Sequence, residues 1–366
     1  MEQETKEMSG YGELPTPEML KDSGRKCPRC RGFMEFDPKE GKLRCLSCDY
    51  VEAVLSKNEA DIVAEEQDFI YAEKEGNHDW GVEKKTVLCK ACGAESVYDA
   101  LEISAVCPFC GSNQVMEAFD QNTMAPGGVV PFAVTDKQAS DLFRTWIKRK
   151  WFCPKMAKES AKAKSFKGIY LPYWTFDATA YSEYVGEYGI DKKRDERIVT
   201  NWYAVRGNNR LTFDDELVCA TTKHSQSMLQ GIEPYRTAEN KTYKPEYVAG
   251  FAAERYSIGI KEAWDMAKQS MKFKIRNTIE SGIKRQYRAD RVRNLRITTK
   301  YSNLTYKYLL LPVWISSYKY QDKVYQFMVN GQTGKVSGKI PISVPKVILT
   351  VAGVILLMAI FMWLNS

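Results

Sequence analysis

The chain has 366 residues, 44% hydrophobic and 27% charged, with a formal net charge of +7. That balance excludes a wholly disordered or collagen-like protein and leaves room for more than one domain. The positive excess is too small by itself to indicate a nucleic-acid binder, and 12% aromatic residues, among them 21 Tyr and 8 Trp, favour β-structure.

The chain opens with MEQETKEMSG, which is acidic and polar. It has no basic n-region and no apolar h-region, so it is not a secretory signal, and residues 1–24 read as a disordered arm. Eight of the 10 cysteines then fall into CxxC pairs, and the pattern CxxC-x14-CxxC occurs twice. With no export signal, this reads as metal binding by reduced thiols rather than as disulfides. A CxxC turn places two thiolates on one side of a tight loop, and two such loops at the ends of a β-ribbon complete a tetrahedral S4 site.

The expectation is therefore Zn2+ in two closed, structural sites, each built from four cysteines. Cys27, Cys30, Cys45 and Cys48 would form one, in a ribbon over 25–51. Cys89, Cys92, Cys107 and Cys110 would form the other, in a ribbon over 85–120. Iron in a rubredoxin-like S4 site is the rival occupant. Gly93 and Gly111 directly follow the knuckles of the second ribbon, where the first has Arg31 and Asp49. The linker over 52–84 is acidic, which repels phosphate and favours a docking or scaffold role over nucleic acid.

An α+β body with antiparallel sheet and a long helix is expected over 125–340. Thr135 and Asp136 signal a helix start, and Ala139, Leu142, Phe143, Trp146 and Ile147 follow at helical spacing. A short helix starts at Pro154. GIYLPYWTFDATAYSEYVGEYGI reads as strand, and ERIVTNWYAVRGNNRLTFDDELVCA as a strand pair with a Gly-Asn turn. Over 258–290 a stripe from Ile260 to Tyr287 predicts a long helix, and twelve Lys/Arg against four Asp/Glu in 261–300 make that region basic. Three or four antiparallel strands follow, with turns at Asn330-Gly331 and Thr333-Gly334. Leu171–Trp174 (LPYW) and Leu311–Trp314 (LPVW) echo one another and suggest two related β-segments in one sheet or sandwich. GQTGKVSGK fails the phosphate-loop spacing. Only Cys219 and His224 hint at nucleophilic catalysis, and buried thiols are the ordinary state for Cys153 and Cys219; the expectation is a non-enzyme.

From Val347 to Leu364 the chain has no charge and one threonine. This predicts a single transmembrane helix over 344–364, with Trp363 and Lys346 at the two interfaces. Lys335, Lys339 and Lys346 precede the uncharged run from Val347, so the positive-inside rule places the body in the cytoplasm, on the inner membrane.

The paired ribbons, with APGGVVPFAV, GIYLPYWTFDA, YVAGFAAERY, LLLPVW and VNGQTGKVSGKIPIS, resemble bacterial transcription-factor-IIB-type zinc-ribbon membrane proteins over about residues 25 to 346. Members often carry replication or helicase labels, but helicase motifs are absent from this sequence. The resemblance implies gene company with SPFH-domain and phage-shock-type membrane-stress proteins. It therefore suggests a membrane partner that recruits or holds such a protein at the inner face; together with the apolar C-terminal run and the acidic linker, the expectation is a tail-anchored scaffold. The resemblance supplies no catalytic residues. The alternative is a membrane-tethered nucleic-acid-binding protein.

Overall fold

The structure is a computed structural model that describes residues 26–54, 63–69, 84–89, 95–99, 115–117, 124–160, 166–194, 197–321 and 323–364. A small antiparallel sheet comes first: β1 (Met34–Asp37), β2 (Lys42–Cys45) and β3 (Val51–Ala53), in that order. Its Asp-Pro turn closes as the sequence requires. Asp37 accepts the Lys39 N–H at 2.8 Å through its side chain and the Gly41 N–H at 2.9 Å through its carbonyl, and Gly41 has φ 63°.

The remaining strands form one large sheet. Short strands β4 (Gln67–Asp68), β5 (Lys84–Cys89), β6 (Glu95–Asp99), β7 (Val115–Glu117) and β8 (Gly128–Val129) lead into helices α1 (Asp136–Lys148) and α2 (Lys155–Ser160). Two long strands follow, β9 (Lys167–Arg194) and β10 (Arg197–Cys219). Next come α3 (Gln226–Ile232), β11 (Lys241–Thr242), β12 (Ala252–Glu254), α4 (Ile260–Tyr287) and β13 (Arg291–Tyr320). The order ends with β14 (Lys323–Asn330), β15 (Val336–Gly338) and α5 (Val344–Leu364). The body is thus mixed α+β, as expected, with two departures from a purely antiparallel sheet: β12 runs parallel to β9, and β8 parallel to β13.

Two strand expectations are corrected. Gly207-Asn208 is no turn; β10 runs straight through it, paired with β9 from Arg197 opposite Arg194 to Cys219 opposite Tyr173. The glycine serves close packing, since a Cβ there would meet the Tyr184 hydroxyl at 2.5 Å. Among the three or four strands expected after the long helix, LRITTKYS and YKYLLLPVWISSYKY read as separate, but both belong to one strand, β13. The apparent breaks are β-bulges, where Asn294 and Asn303 take φ 52°. α1 starts where the capping signal placed it: Thr135 and Gln138 form a full capping box.

The LPYW/LPVW echo marks a structural duplication. β9 and β13 pair antiparallel with Leu171 opposite Leu311, so the two motifs are related by an approximate two-fold axis through that pair. Each is preceded by a short strand and a helix, and followed by a return strand. The short strands are exchanged: β8, before the first motif, pairs with Leu309 and Leu310 beside the second, while β12, before the second, pairs with Ile169 and Tyr170 beside the first. The hydrogen bonds repeat in the same way. Trp314 donates its indole N–H to the Val134 carbonyl at 2.7 Å, and Trp174 donates to Ile258 at 2.9 Å. Ala133 and Val134 donate backbone N–H groups to the Gly331 carbonyl, as Ser257 and Ile258 donate to Ala220. Gly331 donates in turn to Pro312, and Ala220 to Pro172.

Around the axis both faces of the sheet are covered, so Ile169–Phe176 and Tyr306–Ile315 are buried without alternation. Beyond it, β9, β10 and β13 continue as a three-stranded arm, covered on one face by α4. That helix packs Ala267, Met271, Ile275, Ile279 and Ile283 inward, with Tyr287 stacked on Tyr188 at 4.4 Å. Buried Glu216 accepts hydrogen bonds from Ser270 (2.5 Å) and Lys274 (2.6 Å), fastening the helix to β10.

Candidate metal centre

The first ribbon brings its four cysteines together. The Sγ atoms of Cys27 and Cys48 are 3.6 Å apart, those of Cys30 and Cys45 are 3.4 Å apart, and one ligand atom from each of the four lies within 4.8 Å of the others. A tetrahedral zinc with Zn–S bonds of about 2.3 Å spaces its sulfurs by about 3.8 Å, so the donor set fits that ion. Backbone N–H groups of Arg29, Gly32 and Ser47 point at the sulfurs of Cys27, Cys30 and Cys45, each at 3.4 Å. Four thiols this close cannot all ionise without a cation. Burial opposes ionisation of Cys45, but the N–H groups of Ser47 and Cys48 hold it down at about 7. The adjoining Cys30 thiol pushes Cys48 up to about 12. Arg31 and Asp49, just after the knuckles, take φ 58° and 56°. These are the positions held by glycine in the second repeat.

The ribbon is seated on the body. Phe36, 2% exposed, stacks edge-on against Tyr247 at 5.7 Å and donates its backbone N–H to Ala249 at 3.2 Å. Glu35 lies so close to Gly250 (φ 80°) that a Cβ there would approach its Cγ to 2.4 Å. A cleft of about 660 Å³ lies between ribbon and body, with Lys39, Arg44, Lys137 and Lys167 on its walls beside Trp314. The tyrosine-rich stretch around Tyr247 carries no sequence signal for this contact, because docking depends on the long-range pairing of β12 with β9.

The expectation of two four-cysteine zinc sites is corrected. Among the described residues there is one four-cysteine cluster, and the other group able to hold a cation is built from carboxylates, Glu66, Asp177 and Asp215. Of the second set, Cys89 ends β5, whereas Cys92, Cys107 and Cys110 lie outside the described residues. The carboxylate group already contains a cation: the Lys307 ammonium contacts Glu66 and lies 2.8 Å from Asp215. Asp177 accepts the Asp215 N–H at 2.7 Å, and burial pushes its carboxyl up to about 6.

Cys219 and His224 do not form an activated pair. Burial pushes the Cys219 thiol up to about 12, and it donates to the Pro172 carbonyl at 3.8 Å. His224 turns its Nε2 to Glu254, at 3.1 Å. Glu254 is fully buried, accepts the Thr221 hydroxyl at 2.6 Å, and has the Lys223 ammonium at 3.6 Å. The sequence carries no local signal for this glutamate, which sits in a short strand whose pairing crosses the duplication.

α5 is the one described helix long and apolar enough to cross a membrane, over Val344–Trp363, and none of that stretch is buried against the body. At about 1.5 Å per residue its 21 residues reach about 31 Å, the thickness of a bilayer core. A large folded domain with a single apolar helix fits single-pass topology.

The chain is 32% identical over 342 residues to the Bacillus subtilis (strain 168) protein YdjG, an alignment covering 90% of this chain and 93% of that one. No protein-family model and no solved structure matches the chain.

Proposed function

The chain belongs to the family of Bacillus subtilis YdjG, and from its architecture we propose that it is a non-enzymatic scaffold held to the cytoplasmic membrane by α5. Zn2+ held by Cys27, Cys30, Cys45 and Cys48 keeps the first ribbon folded. All four ligands are protein thiolates, so the site has no open position for water or substrate and its role is structural. The ribbon offers a docking surface in the cytoplasm, where thiols stay reduced. Lys335, Lys339 and Lys346 before the span support that orientation. The observation that carries the reading is the closed S4 cluster on a ribbon packed through Phe36 onto a body that continues into the apolar helix. The resemblance to transcription-factor-IIB-type zinc-ribbon membrane proteins supports an SPFH-domain partner and a place in envelope stress.

The test is nuclease-treated affinity purification from detergent-solubilised membranes, with full-length protein beside protein lacking residues 26–54. An SPFH-domain protein retained by the first and lost from the second supports the scaffold. Retention unchanged by the deletion removes the ribbon from that role.

A membrane-tethered nucleic-acid binder is the second reading, favoured by the uncovered face of the arm. There Arg210 lies over the Tyr181 ring at 5.1 Å and opposite it in register, with Lys300 on the other side. Glu183 occupies the next row; Arg206 and Arg296 flank Val185 in the row after it, and Arg293, ion-paired with Glu187 at 2.6 Å, lies over Trp202 at 3.9 Å. Cations interleaved with aromatics on an open sheet suit single-stranded nucleic acid. Gel shifts at near-physiological salt with Arg206→Glu, Arg296→Glu and Lys300→Glu decide it; no shift with the unmodified protein sinks this reading.

A further inference from the structure

α5 does not leave the body freely. Lys346, in its first turn, donates from Nζ to the carbonyl oxygens of Trp151 (3.0 Å) and Cys153 (2.9 Å), and lies 5.7 Å from the Trp151 ring centroid. Ser343, just before the helix, donates its N–H to the Phe152 carbonyl at 2.8 Å. The connection between α1 and α2 is therefore held at the level where the apolar run begins.

That connection, with the first turn of α2, is packed on its inner side and oily on its outer side. Cys153 and Ala157 are fully buried with Phe143 and Ile147, so the segment is part of the packed body. Its outward side chains include Trp151, 69% exposed, and Met156, 70% exposed, with Phe152 exposed beside them. Ile342 and Val344, on either side of Ser343, are exposed as well. Isolated apolar side chains on a surface need no explanation, but five collected around the root of a membrane-length helix do. The same stretch is strongly cationic: over 148–160 Lys148, Arg149, Lys150, Lys155 and Lys158 face a single acid, Glu159. Tryptophan with basic residues is the composition of a bilayer interface, where the ring sits among headgroups and the ammonium groups meet lipid phosphate.

We propose that this collar is a second membrane-contact site. Trp151, Phe152 and Met156 seat in the headgroup layer of the leaflet that α5 enters, and the surrounding lysines bind anionic lipid headgroups. The body would then be held close against the bilayer at a defined tilt instead of swinging on a flexible stalk. The proposal rests on reading α5 as a membrane span.

The test uses full-length protein reconstituted into phosphatidylcholine vesicles, with or without phosphatidylglycerol. The vesicles carry lipids brominated near the headgroup, which quench only nearby tryptophan. Trp363 reports α5, so Trp363→Phe is the background for the collar. Shallow quenching that persists in Trp363→Phe and is lost in the Trp151→Phe/Trp363→Phe double variant supports the proposal. Added phosphatidylglycerol should strengthen the Trp151 quenching, and Lys148→Glu/Lys150→Glu/Lys155→Glu should abolish that gain. Equal quenching in the single and double variants overturns the collar while leaving the span intact. If Trp363→Phe changes nothing and alkaline carbonate releases the protein, the span itself fails and the collar with it. Trp151 is exposed, so its replacement leaves the core undisturbed.

Discussion

Leu171 and Leu311 stand directly opposite each other in the antiparallel ladder of β9 and β13, and the same contacts recur on both sides of that pair. The most specific are the indole hydrogen bonds, Trp174 to Ile258 and Trp314 to Val134, each joining a long strand to the segment that enters the other half's helix. Both indoles are nearly excluded from water. Trp174→Phe and Trp314→Phe each remove a buried donor and leave a carbonyl without it. The expected cost is about 1–3 kcal/mol for each, of similar size in the two halves. Denaturant unfolding in detergent measures both; a large loss in one and none in the other would contradict equivalent roles.

The metal centre predicts a local response. Cys45→Ser should lower bound zinc by one equivalent per chain relative to the parent protein. Chelation should expose Phe36 and Leu43 to protease or hydrogen exchange while the β9–β13 sheet stays protected. Simultaneous loss of protection in ribbon and sheet would show that the metal holds the whole body together.

Arg31 occupies left-handed backbone directly after Cys30. Side chains there cost on the order of 1 kcal/mol relative to glycine, part of which returns as glycine's greater freedom in the unfolded chain. Arg31→Gly should therefore stabilise the ribbon modestly, read as a lower chelator sensitivity; greater sensitivity would mean that the arginine makes a contact outweighing its backbone strain.

Asp177 carries a pH signature. Its folded pKa is about 6 against an ordinary 3.8, because burial disfavours the carboxylate. A raised pKa contributes stability below the unfolded value, and this is lost as pH rises through the folded one. Asp177→Asn, which keeps an oxygen for the Asp215 N–H, should gain stability over the parent between about pH 4 and 6 and hold that advantage above. A difference independent of pH across that window would assign the effect to packing.

Much of this architecture was legible in the sequence where the signal is local. The CxxC spacing, the Thr135 cap, the α4 stripe and the apolar run of α5 each depend on residues within a few turns of one another. The echo of LPYW and LPVW was visible as well, but its meaning was not. Equivalence of the halves lies in exchanged strand pairings such as Val129 with Leu310, and pairing between distant segments leaves no periodic trace. Gly207 misled for a related reason: turn-forming residues also serve close packing, and only the neighbouring strand distinguishes these uses. Phe36 and Trp151 look like ordinary aromatics until the surfaces they meet are known.

The exchange of β8 and β12 has a consequence for ancestry and assembly. Each half donates a short strand to the interior of the shared sheet beside the other half's long strand, as two subunits do in a strand-swapped homodimer, and this is the pattern that fusion of two such subunits would give. Neither half is complete by itself. Fragments divided between β10 and α3 should fold only when mixed, and should then find each other by the same register that places Leu171 against Leu311.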